Sequence, residues 1–109
     1  MSPINNKSGI ERTIAENNFV VVFFHTPGCA VCKSLMPILE KMVAEQLSDV
    51  VFIAINTDTE PELAVSKSIY TSPVVLFFAG GKEYIREVRF IDTALLIRKI
   101  RRIIDLYTE

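Results

Sequence analysis

Phe19-Val20-Val21-Val22-Phe23-Phe24 runs directly into His25-Thr26-Pro27-Gly28 and then into Cys29-Ala30-Val31-Cys32-Lys33. The first block is continuous, β-branched and aromatic, the composition of a strand covered on both faces. Thr26-Pro27-Gly28 ends it. Beyond the cysteines, Leu35, Leu39, Met42, Val43 and Leu47 recur at helical spacing, with Lys33, Glu40, Lys41 and Glu45 on other faces. The two thiols are therefore expected on the first turn of a helix, just past the end of a buried strand. A helix N-terminus offers unpaired backbone N–H groups and a partial positive charge, and both favour thiolate over thiol. Thiols so placed are expected to react.

Similar patterns organise the rest of the chain. Lys7 to Asn17 reads as a short helix, with Ile10 and Ile14 four apart and Asn17-Asn18 as its stop. Pro37 falls inside the cysteine-bearing helix, where it removes one backbone hydrogen bond and is expected to bend the axis. Val50 to Ile55 is a second buried strand by composition, so strand, helix and strand make a βαβ unit. Thr59-Glu60-Pro61-Glu62 carries a capping Thr, a Pro near the first helical position and a Glu at the third, which marks a short helix to about Ser68. Pro73 opens the strand Val74 to Phe78, and Ala79-Gly80-Gly81-Lys82 turns it into an antiparallel partner from Glu83 to Phe90. Asp92 is expected to cap the last helix. Its apolar stripe is Leu96, Ile97, Ile100, Ile103, Ile104 and Tyr107, and Arg98, Lys99, Arg101 and Arg102 face water.

A chain of 109 residues, half of them apolar, suits a single domain over 1–109 with one core, and no internal repeat or linker interrupts it. Twelve basic residues against thirteen acidic ones leave a formal charge of -1. No global field draws such a protein to nucleic acid or to anionic lipid, and neither is expected as a partner. No apolar run approaches the roughly 20 residues of a membrane span, and Met1 to Lys7 lacks the apolar core of a secretory signal. A cytoplasmic protein is expected. In a reducing compartment the pair Cys29 and Cys32 reads as catalytic, redox-sensing or metal-binding sooner than as a permanent staple. The plain alternative is two ordinary buried cysteines, which would not require a helix tip.

The order βαβ, then α, then ββα carries Cys29 and Cys32 after its first long strand, with Lys33 next to them. Pro37 follows along the helix, and Thr71-Ser72-Pro73 precedes a later strand. This arrangement resembles the thioredoxin family over essentially the whole chain. The resemblance implies an α/β thioredoxin fold, a central mixed β-sheet of four to five strands flanked by helices. It implies that Cys29 attacks a substrate disulfide and that Cys32, one turn deeper, releases the reduced product. Pro73 matches the family's cis proline beside the thiols, and its plain alternative is a proline that merely starts a strand. Ser72 would then offer a backbone edge to a bound polypeptide, with Ala30 and Val31 on the apolar rim. The implied partners are disulfide-containing protein substrates, with a flavin-dependent reductase or a low-molecular-weight thiol as electron donor. Exchange by a thiolate needs no metal and no bound cofactor.

Several positions depart from the family pattern. Gly28 stands where a Trp commonly precedes the first cysteine, and Ala30-Val31 where Gly-Pro separates the two. The family's buried acid beneath the second cysteine is here Phe23, and the lysine that accompanies it on the next strand is Ala54. Without the acid, Cys32 loses its usual internal base, and a thiol buried beside Phe is harder to ionise, so the resolving step is expected to be slow. His25, the single histidine, stands where the family has a second Trp. It is read either as a substitute proton relay or as a hydrogen-bonded core residue, with Asp58 as an orienting partner at the end of the neighbouring strand. Arg89 stands where the family often has a Gly, and reads as a thiolate-stabilising or groove-narrowing residue, or as a solvent-facing strand residue.

Three functions fit these residues. The first is a protein-disulfide reductase. The second is an adaptor that grips a partner through Ala30, Val31, Ser72 and Pro73, its cysteines serving as a slow redox sensor. The third is a metal carrier, for which no further cysteine or histidine run completes a tetrahedral site.

Overall fold

The computed structural model describes residues 7–108, and the segment 1–6 read above for a secretory signal lies outside them. Its elements are α1 (Lys7–Glu16), β1 (Phe19–His25), α2 (Ala30–Gln46), β2 (Val51–Asn56), α3 (Pro61–Ser66), β3 (Val74–Ala79), β4 (Lys82–Val88) and α4 (Thr93–Thr108). The four strands form one mixed sheet in the order β2-β1-β3-β4. The α2 crossover makes β1 and β2 parallel, with Phe23 beside Ala54, whereas β3 runs antiparallel to both β1 and β4.

β1 lies inside the sheet and is covered on both faces, which is why its sequence is apolar without alternation. Alternate residues nonetheless serve different layers. Phe19, Val21 and Phe23 join Val75 and Phe77 of β3 in a core closed by Leu39 and Val43 of α2 and by Leu96, Ile97 and Ile100 of α4. Val20, Val22 and Phe24 join Ile53, Ile55, Leu76 and Phe78 in a second core closed by Ile10 and Ile14 of α1 and by Leu63 and Ala64 of α3. The sheet thus carries helices on both faces, and the C-terminal end of β1 opens directly into the N-terminus of α2.

The hairpin between β3 and β4 uses Gly80 at φ 59° and Gly81 at φ 83°, both in the left-handed region that glycine enters freely. Gly80 has a second constraint: a Cβ there would overlap the hydroxyl of Tyr107, whose ring stands edge-on to Phe19 at 5.5 Å. Asp92 caps α4 as expected, its Oδ1 accepting from the Leu95 N–H at 3.1 Å.

Two expectations need correction. Thr59 does not cap α3: its hydroxyl donates to the Asn56 carbonyl, and the N-cap is Glu60, which makes no side-chain cap bond. β4 ends at Val88, short of Phe90, because Arg89 turns to φ 68° and leaves the strand conformation.

Candidate active site

Cys29 is the N-cap of α2, with extended backbone at φ −87° and ψ 100°. Its N–H donates to the Thr26 carbonyl at 3.2 Å, its carbonyl accepts from the Lys33 N–H at 3.3 Å, and its Sγ accepts from the Cys32 N–H at 3.1 Å. A thiolate at this atom would therefore meet a backbone donor and the positive end of a helix seventeen residues long. Cys32 lies one turn in and is 2% exposed, within the core that also holds Phe23, whereas Cys29 is only partly buried. The two are joined as a disulfide with their Cα atoms 5.3 Å apart, inside the range such a bridge requires.

Chain turns bring two distant segments to this helix tip. The Ser72-Pro73 peptide is cis, and the Ser72 hydroxyl lies 3.0 Å from the Thr26 hydroxyl, so the β1–α2 loop and the α3–β3 loop are stitched together. The N–H of Arg89 donates to the Pro73 carbonyl at 2.8 Å, which brings in the segment after β4. Between these three segments lies an open groove of about 420 Å³. Cys29, Ala30 and Val31 line it from the helix tip, Thr26 and Gly28 from the loop ahead of that helix, Ser72 and Pro73 from the turn into β3, and Arg89 and Phe90 from the segment after β4. Val31 is 57% exposed and Phe90 91%, so the rim is apolar and open to a partner.

Six sequence-derived positions thus meet in one place: Cys29, Ala30, Val31, Ser72, Pro73 and Arg89. His25 and Asp58 are not among the groove's lining residues. His25 is half-buried with its ring 6.4 Å from that of Phe23, and its carbonyl accepts from the Thr57 N–H. Asp58 is exposed in the turn after β2, its N–H donating to Asn56 Oδ1. The expected side-chain bond between His25 and Asp58 is not made: β2 stops at Asn56, and the turn that follows carries Asp58 into solvent. Thr26 and Phe90 were not singled out from sequence. Thr26 served only as a turn marker, and its Ser72 partner is 46 residues away. The signal for Phe90 was available, a large aromatic directly after the arginine that breaks the family pattern.

Phe23 is fully buried, and Ala54 beside it on β2 is exposed, so neither an acid nor a lysine lies in this part of the sheet. Among the described residues no three His, Cys, Asp or Glu side chains gather to hold a metal ion. No helix among the described residues is long and apolar enough to cross a membrane.

Comparison with known proteins identifies the family. The thioredoxin family model matches residues 3–102. The thioredoxin-like protein YdfQ of Bacillus subtilis is 34% identical over 107 residues, which cover 98% of this chain and 95% of that one. A bifunctional thioredoxin reductase/thioredoxin of Mycobacterium leprae is 27% identical over 101 residues, 93% of this chain and 22% of that one. The X-ray structure of Fasciola hepatica thioredoxin superposes with a TM-score of 0.80 at 25% identity, covering 91% of this chain and 95% of that one. With its helix-capping Cys29 bridged to Cys32 beneath an open groove, this chain belongs to the thioredoxin family and is a thiol-disulfide oxidoreductase.

Proposed function

We propose that the protein reduces polypeptide disulfides in the cytosol, with Cys29 as nucleophile and Cys32 as resolving thiol. The observation that carries the assignment is the 3.1 Å hydrogen bond from the Cys32 N–H to Cys29 Sγ at the helix N-terminus. That donor stabilises negative charge on the outer sulfur, while burial of Cys32 opposes charge on the inner one. The Cys29 thiolate attacks one sulfur of the substrate disulfide, whose other sulfur leaves as a thiolate and takes a proton from water. Cys32 then loses its proton and attacks Cys29 Sγ, which forms the internal disulfide and expels the second substrate thiol. Two electrons pass from the dithiol to the substrate. A flavin reductase or a small thiol returns them, and the fusion of reductase and thioredoxin in the Mycobacterium leprae relative supports the former.

Ala30, Val31 and the Ser72-Pro73 edge receive the substrate chain. Phe23 makes the second step the slow one, because no buried carboxylate takes the Cys32 proton. His25 is placed on the same sheet face but outside the groove, and we assign it and Asp58 no proton transfer. The adaptor alternative is not favoured, since both thiols are in bonding reach and the outer one faces the groove.

Insulin reduction coupled to a thioredoxin reductase and NADPH tests this reading. Cys29→Ser is expected to abolish turnover, and Cys32→Ser to accumulate a mixed disulfide visible as added mass on Cys29. Turnover that survives Cys29→Ser would overturn the assignment.

A further inference from the structure

Among the described residues, Arg89 is the one charged residue lining the groove beside Cys29. Its position is not that of an ordinary strand end. β4 stops at Val88, and Arg89 enters the left-handed region at φ 68°, where a side chain is disfavoured and glycine is usual. The bond from its N–H to the Pro73 carbonyl holds it there, one residue from Ser72 and across the groove from the helix tip. The neighbouring Arg86 is fully engaged, with Glu83 and with the Lys67 and Ser68 carbonyls. Arg89 has no ion pair or side-chain hydrogen bond of its own among the described residues. A guanidinium with free donors, at the end of an otherwise uncharged groove, favours a carboxylate in a planar two-point contact.

We infer that Arg89 is a specificity-determining residue, which selects disulfides carrying a carboxylate close to their sulfur atoms. The inference rests on Cys29 being the nucleophile. The exchange itself is unchanged; Arg89 holds the acidic end of the substrate so that its sulfur lies over Cys29. A guanidinium acting on the Cys29 thiolate instead would change attack on every disulfide by the same factor, whereas substrate selection depends on the charge of the substrate.

The test is the second-order rate of oxidation of the reduced full chain by three small disulfides: hydroxyethyl disulfide (neutral), dithiodipropionate (anionic) and cystamine (cationic). The wild type is compared with Arg89→Gly, which suits the left-handed backbone, with Arg89→Gln and with Arg89→Glu. Removing the charge is expected to slow the anionic disulfide about three- to fivefold, leave the neutral one unchanged and speed the cationic one, in line with an exposed ion pair. Arg89→Glu should invert the preference, and high salt should erase it. A common factor for all three disulfides, or no change for any, would overturn the role of Arg89. Failure of the wild type to reduce the neutral disulfide would instead overturn the nucleophile. Peptide disulfides with Asp or Asn beside the cysteine identify the source: a preference for Asp as large as that for dithiodipropionate assigns acidic polypeptides. A preference confined to the small disulfide assigns small-molecule thiol carriers.

Discussion

Phe23 stands, with no solvent exposure and in the same core as Cys32, at the position where the family pattern has an acid. Phe23→Asp alone is expected to destabilise the fold by about 3–5 kcal/mol, because an aromatic ring is lost from a tight core and a carboxyl is left there unpaired. Adding Ala54→Lys on the adjacent strand should recover part of that loss, since residue 54 is exposed and its side chain lies on the same sheet face. Urea unfolding measures both. In the double variant, release of the second thiol from the Cys29 mixed disulfide should be about a hundredfold faster at neutral pH, the low end of general-base catalysis. An unchanged release rate would mean that Phe23 does not limit the second step. Phe23 and Ala54 were legible as departures because the neighbouring cysteines anchor the alignment of residues. The Thr26–Ser72 contact was not, since nothing local marks two hydroxyls that only the folded chain brings within 3.0 Å.

Among the elements, α4 and the β3–β4 hairpin give the clearest tests. Asp92→Ala removes the acceptor for the Leu95 N–H and should cost about 1 kcal/mol in urea unfolding, with insulin reduction unchanged. Gly80→Ala should cost more than the roughly 1–2 kcal/mol of a left-handed alanine, because its Cβ also overlaps the Tyr107 hydroxyl. Pairing it with Tyr107→Phe should return the part due to that overlap, leaving a coupling that a double-mutant cycle reads directly. These elements were readable because their signals are local: a glycine pair between apolar runs, and a capping Asp ahead of an amphipathic stripe. The end of β4 was not, since a left-handed arginine has no signature in composition and depends on a bond to Pro73. Tyr84, left unpaired by the register shift opposite Phe77 and Phe78, is set by long-range pairing in the same way.

Taken whole, the molecule is a sheet with two apolar layers whose order places one helix tip, one proline turn and one strand end around a single groove. The layers follow from side chains of β1 and β3 pointing alternately to the two buried faces of the sheet, so a cavity in either is felt globally; Phe77→Ala on β3, fully buried in the core with Phe19 and the apolar face of α4, should lower stability by about 3–5 kcal/mol in urea unfolding. The order of elements, the parallel β1–β2 pair and the β3–β4 hairpin were legible from the sequence, because each apolar run, helix stripe and turn pointed to the same arrangement, whereas the antiparallel seam between β1 and β3 has no local signal. The partnership of Arg89 and Phe90 with the cysteines was not, because it arises only when the end of β4 closes the groove. All of the proposed chemistry depends on the outer sulfur being the more acidic of the pair. Iodoacetamide alkylation of the reduced chain across pH, with the labelled cysteine mapped by mass spectrometry, measures this most directly. Cys29 is expected to label first, with a midpoint clearly below the value of about 8.5 for a free cysteine; labelling of Cys32 first, or a Cys29 midpoint at or above that value, would contradict it.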